Sequence, residues 1–256
     1  MKTKFNLVCL TFLLLTQFVV AQAPIQNPVQ DISLVIESSD GNNGLGVAFN
    51  PEKNIYYSVF AGNMHYPIEV HNTTGKSIFS AEIGGDLRGF WYNPAQKCLE
   101  GILYNNEGSG KFYLDNSGFP LQINSESFAY GMEANDVACF NKGKVYILGS
   151  GGISVFKAGK KKSKLIKNTD LYSNYDMYNT RSIFHTGIKG YELGVFNHAD
   201  SKVVLINEKT GKTVSEIAIS LDGYYEGIEN FNISYANNHI FFFNKENREW
   251  NGYKIF

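Results

Sequence analysis

The sequence predicts an all-β fold, a five-bladed β-propeller of four-stranded blades closed by an N-terminal strand. Three observations predict it. "LGVAFNP" from Leu45 to Pro51 is echoed by "LRGFWYNP" from Leu87 to Pro94, with the two Asn-Pro pairs 43 residues apart. An aromatic residue ends a short apolar run at Phe49, Tyr92, Phe140, Phe184 and Tyr235, separated by 43, 48, 44 and 51 residues. Between these anchors lie short runs of Val, Ile, Phe and Tyr broken by Gly, Asn and Asp, without the 3.6 periodicity of helices.

In chain order, Lys2 and Lys4 precede an apolar run from Phe5 to Val20, which reads as an export signal cut after Ala21. An uncleaved anchor is the alternative. Residues 1–21 are therefore a signal peptide, residues 22–30 a Pro- and Gln-rich lead-in, and residues 31–256 one propeller domain. The product is expected to be secreted or periplasmic, monomeric, and without a membrane span after cleavage.

The first unit reads as the strand ending at Phe49, then "NIYYSVF", "PIEVH", the hairpin "NTTGK" and "SIFSAEI". The distance from anchor to hairpin opening is 23 residues for Phe49 to Asn72, Tyr92 to Asp115 and Phe184 to Asn207. Asn or Asp entering such a turn and Gly leaving it meet the needs of tight hairpins. The third unit is shorter but keeps four strands, "DVACF", "KVYIL", "ISVFK" and "SKLIK". The fifth has only "FNISY", "HIFFFN" and "EWNGYKIF", so "DISLVIES" from Asp31 to Ser38 is expected to supply its fourth strand and cover two sheet edges. Six blades are the runner-up, should the linker Asn168–Thr180 contain strands.

Charge narrows the function classes. The net charge is −1, and −3 once Lys2 and Lys4 are removed, which argues against nucleic acid as a partner. The basic run "GKKKSK", Gly159 to Lys164, reads as a solvated hairpin tip. Cys98 and Cys139 lie in apolar strand-like segments and are expected to be free thiols, although an exporting compartment permits a disulfide. No Gly-x-Ser-x-Gly element supports a nucleophile-elbow hydrolase. His65, His71, His198 and His239 fall in or beside turns and are expected to be solvated.

"GGDLRGFWYNPAQKCLEGILY" and "INEKTGKTVSEIAI" resemble blades of the broad bacterial propeller group that includes NHL, YVTN and gluconolactonase-like repeats. The resemblance implies that the loop before each innermost strand reaches the mouth of a central channel. Those loops hold Asn43, Asp86, Arg88, Asn135, Asp136, Asn179, Arg181, Glu229 and Asn230, with Glu133 and Glu226 slightly further out. His185 follows an anchor, and the loops "DLYSNYDMYNT" and "LDGYYEGIEN" add Tyr175, Tyr178, Tyr224 and Tyr225. An aromatic face with a hydroxyl suits a ligand that is partly apolar and partly polar.

Two functional readings follow. The first is a non-enzymatic module that binds a glycan, peptide or protein at a mouth lined by Arg88, Asp136, Arg181, His185, Glu226, Glu229 and the four tyrosines, with no cofactor. The second is a metal-dependent hydrolase or lactonase of gluconolactonase-like type, in which Asp86, Asn135, Asn179 and Glu229 hold calcium through oxygen ligands. Arg88 and Arg181 beside that ring work against a cation. A third, plain reading is that the polar loop atoms only satisfy turn backbones.

Overall fold

The computed structural model describes residues 22–63, 65–104, 107–126, 130–133, 135–166, 171, 174–175, 182–221 and 231–256. These form five four-stranded antiparallel sheets, the five blades of a propeller. Blade 1 is β2 (Gly44–Asn50), β3 (Ile55–Phe60), β4 (Ile68–His71) and β5 (Ser77–Ala81). Blade 2 is β6 (Leu87–Asn93), β7 (Cys98–Leu103), β8 (Ser109–Leu114) and β9 (Pro120–Glu126). Blade 3 is β10 (Val137–Asn141), β11 (Lys144–Gly149), β12 (Gly152–Lys157) and β13 (Ser163–Ile166). Blade 4 is β14 (Phe184–His185), β15 (Leu193–Asn197), β16 (Lys202–Ile206) and β17 (Thr213–Ala218). Blade 5 joins β18 (Ile233–Ala236), β19 (His239–Asn244) and β20 (Glu249–Lys254) to β1 (Gln30–Val35).

The closing strand behaves as its sequence predicts. β1 pairs antiparallel with β20, placing Leu34 opposite Trp250, and it spans Gln30–Val35, shorter than the run expected from Asp31 to Ser38. The lead-in follows the same seam, with the Ile25 N–H donating to the Ile255 carbonyl at 2.9 Å. All but three residues of the linker 168–180 lie outside the described residues.

The second strands of blades 1, 2 and 4 are buried on both faces, so their apolar residues do not alternate with exposed polar ones. β3 has no exposed residue. The apolar core is accordingly divided into five clusters, one per seam between neighbouring blades. Burying one such side chain contributes about 1.5–3 kcal/mol, so each seam is held by the sum of many such contacts. Near the axis the strands crowd, and a Cβ on Gly89 would meet the Ala138 carbonyl oxygen at 2.5 Å. The glycine shared by the two opening phrases is thus required at least in blade 2 by the approach of the next blade.

The Asn of each Asn-Pro pair also has a local role. Asn50 and Asn93 end β2 and β6, and their side-chain oxygens accept backbone N–H groups two or three residues on. Asn197 and Asn244 do the same in blades 4 and 5. In each case the residue four positions later, Asn54, Lys97, Ser201 or Arg248, has a left-handed backbone with φ between 51° and 57°. One turn design is therefore reused in four blades, with Asn satisfying its inner donors.

Three of the four histidines expected in solvent are withdrawn from it. His71 ends β4 inside the blade and its Nε2 lies 3.0 Å from the Ser58 hydroxyl. The His198 ring packs edge-on against Phe196, and His239 is held between the Asn237 carbonyl and Asp31. For His71 and His239, partners from other strands override the local turn signal. Only His65 is exposed.

Candidate functional site

The innermost strands β2, β6, β10, β14 and β18 surround a channel lined by residues of all five blades. Its volume of about 90 Å³ holds a few waters and no larger ligand. A ligand of any size must therefore engage an end of the channel. The strands start at the end where Asp86, Arg88 and Asp136 lie, and this is the mouth that the repeat predicts.

Arg88, on β6, is the most strongly positioned side chain there. Its Nη1 donates to Asp86 Oδ1 at 2.8 Å and to the Leu87 carbonyl at 2.8 Å. The guanidinium carbon lies 4.0 Å from the Tyr104 ring centroid and 5.1 Å from that of Phe231. Its side chain is 12 % exposed, against 30 % for Asp86. Asp86 Oδ1 also accepts the Gly62 N–H at 3.0 Å. Aromatic faces and a carboxylate thus hold a weakly hydrated, flat cation in one orientation. Nε and Nη2 have no partner among the described residues. Neither ring was expected from the sequence: Tyr104 follows β7, outside the loops before innermost strands, and Phe231, although it lies just before β18, is apolar in a mouth read from polar side chains.

The other candidates separate into three groups. Asp136 is buried and its Oδ2 accepts the Glu133 N–H at 2.9 Å, which closes the loop entering β10, while Asn135, Glu133 and Asn43 are exposed. Tyr175 is turned into the seam between blades 3 and 4, where its hydroxyl donates to Glu216 at 2.6 Å. Tyr178, Asn179, Arg181, Tyr224, Tyr225, Glu226, Glu229 and Asn230 lie outside the described residues, as does the cleavage position Ala21. Of the proposed calcium ligands, only Asp86 and Asn135 are described. Among the described residues no group of three or more His, Cys, Asp or Glu side chains is placed to hold a metal ion.

His185 belongs to the opposite end. Its Nδ1 accepts the Gly187 N–H at 2.9 Å, so the neutral ring carries its proton on Nε2. Nε2 faces the Asn141 amide at 3.2 Å and Glu208 at 3.7 Å. Burial lowers its pKa to about 4, against the opposing pull of Glu208. Glu208 itself is held below the usual carboxylate range: burial disfavours its charge, but hydrogen bonds from Lys144 and Tyr146 and the Lys144 charge outweigh that. Burial raises the Tyr146 hydroxyl and the Cys139 thiol. Cys98 and Cys139 are both free thiols, as expected, with Cys98 buried.

No family profile matches this sequence, and no curated protein matches it. Solved structures do resemble it in fold. Glutaminyl cyclase of Myxococcus xanthus aligns with 10 % identity and a TM-score of 0.53, over 90 % of this chain and 98 % of that one. A protein of unknown function from Bacteroides thetaiotaomicron gives 10 % identity and 0.51, over 91 % and 75 %. A nidogen/laminin complex gives 12 % identity and 0.44, over 72 % of this chain and just under two thirds, 66 %, of that one. The first two likenesses are likenesses of fold alone. Within the described residues no helix is long and apolar enough to cross a membrane.

Proposed function

We propose that this protein is a non-enzymatic propeller module that works outside the cytoplasm and binds an acceptor-rich ligand, a glycan or a protein, at the channel mouth around Arg88. The observation that supports this is the guanidinium fixed between Tyr104, Phe231 and Asp86 with two donor nitrogens still to be used. A rigid fork of N–H donors beside aromatic rings recognises paired oxygens, in a carboxylate or in adjacent hydroxyls and carbonyls, at little entropic cost. The calcium-assisted lactonase reading draws less support, since Asp86 already serves Arg88 and the Gly62 N–H. The finer kinship with NHL, YVTN and gluconolactonase-like propellers rests on the phrases quoted above.

The test is a screen of the purified mature protein against soluble glycans and peptides, repeated with Arg88→Met, which keeps the apolar stem and removes the fork. A ligand bound by the parent should lose at least about tenfold in affinity, roughly 1.4 kcal/mol, with the melting transition retained. Ligands bound equally by both proteins would overturn the mouth as their site. One calcium per chain, with chelation lowering Tm, would favour the lactonase reading.

A further inference from the structure

On the face opposite the mouth, blades 3 and 4 flank a groove of about 460 Å³, lined by Lys142, Lys144, Lys157, Lys164, Val155 and Ile166 among others. It adjoins a second hollow of about 330 Å³ that shares Lys142, Lys144 and Glu208 and ends at Tyr146 and His185. The first volume lies in the range of small-ligand sites, roughly 300–1,000 Å³.

Three features set this groove apart from an ordinary solvated surface. Lys144 and Lys157 are direct partners across β11 and β12, so like charges stand on one face, where a sheet normally pairs opposite signs. Glu208 neutralises only Lys144, at 2.8 Å, and among the described residues no carboxylate pairs with Lys142, Lys157 or Lys164. Lys142 also occupies the first position of a two-residue hairpin with φ of 46°, where the matching turn of blade 5 uses Asn237-Asn238. A left-handed lysine is disfavoured by about 1 kcal/mol or more relative to Gly or Asn. Protecting an edge strand from aggregation accounts for Lys164 on β13. It does not account for lysines on β11, on β12 and in the turn.

We propose that this groove binds an acidic polysaccharide, its sugar rings lying on Val155 and Ile166 and its carboxylate or sulfate groups meeting Lys142, Lys157 and Lys164. The apolar floor suits the C–H face of a pyranose ring. Flexible ammonium groups suit anions repeated along a chain without one fixed geometry. The site is separate from the mouth and does not depend on Arg88.

The experiment measures binding of polygalacturonate and heparin to the full mature protein at two salt concentrations. The variants are Lys157→Ala/Lys164→Ala, the hairpin-tip control Lys160→Ala/Lys161→Ala, and Arg88→Met. All four of these lysines are exposed, so the folded transition should persist in both double variants. The groove variant should weaken binding at least tenfold and flatten its salt dependence, whereas the tip control and Arg88→Met should change it less than threefold. The proposal fails if the parent binds neither polymer, if the tip control weakens binding as much as the groove variant, or if duplex DNA competes as well as either polysaccharide.

Discussion

At the scale of single residues, the histidines show how burial becomes pH sensitivity. His71, His185 and His198 each have a pKa lowered to about 4, with desolvation the leading cause. Unfolded, these rings protonate near 6.5, so between about pH 6.5 and 4 the unfolded chain binds more protons and stability falls as pH falls. Each ring is worth up to about 3 kcal/mol across that window. Urea unfolding at pH 7.5, 6 and 4.5 should show this loss. His198→Phe should reduce the slope by one ring's share, since its buried Nε2 has no hydrogen-bond partner and its packing on Phe196 is apolar. An unchanged slope would mean that His198 titrates normally when folded. None of this was legible in the sequence, where His71 and His198 sit beside turn residues. His71 is met by a serine 13 residues away on the neighbouring strand, and the His198 ring is covered edge-on by Phe196.

At the scale of elements, the hairpins carry the fold's specificity. The β4–β5 turn has Asn72 accepting three N–H or O–H groups through Oδ1, and Gly75 with φ of 86°. A Cβ on Gly75 would lie 1.7 Å from the Ser33 carbonyl oxygen, and the Gly75 carbonyl accepts the Val35 N–H. This hairpin is therefore docked on the closing strand. The corresponding Gly118 in blade 2 has φ of 90° but meets first the flexible Lys53 side chain, at 3.0 Å. Gly118→Ala should cost about 1 kcal/mol from backbone strain, and Gly75→Ala at least about 3 kcal/mol because backbone must move as well. Chemical denaturation of both variants checks the difference, and equal losses would refute the docking role. The hairpins themselves were legible from the anchor spacing. What each tip touches was not, because Ser33 lies in another blade. The same limit hid the opposition of Lys144 and Lys157, which becomes visible only once the β11–β12 register is known.

At the scale of the whole molecule, the ring is closed by one short strand and one arginine. Arg248 directs Nε, Nη1 and Nη2 to the carbonyls of Ser38, Gly41 and Asp40 and lies over the Phe60 ring, so blade 5 grips the connection from β1 to β2. Removing residues 22–35 would uncover β20 and the completely buried Trp250. The truncated protein is expected to elute as aggregates and to lack a cooperative melting transition; a monomer with the parent's Tm would show that closure is dispensable. The number of blades and the closing strand were legible in the sequence because repetition and an incomplete last unit are properties of order alone. The mouth was legible only in part: Arg88 and Asp86 meet as neighbours two residues apart, but their aromatic flanks converge through folding.

The pairing of Leu34 with Trp250 joins positions 216 residues apart. Closure therefore comes late: the entropy of fixing so long a loop must be offset before the seam returns any contact energy, and such distant pairing slows folding. Until then β20 and β1 each present an open edge in a chain whose four other blades consist of sequence neighbours. The strand that completes the ring thus also sets the interval in which a second molecule can take its place, and refolding yield should fall as protein concentration rises.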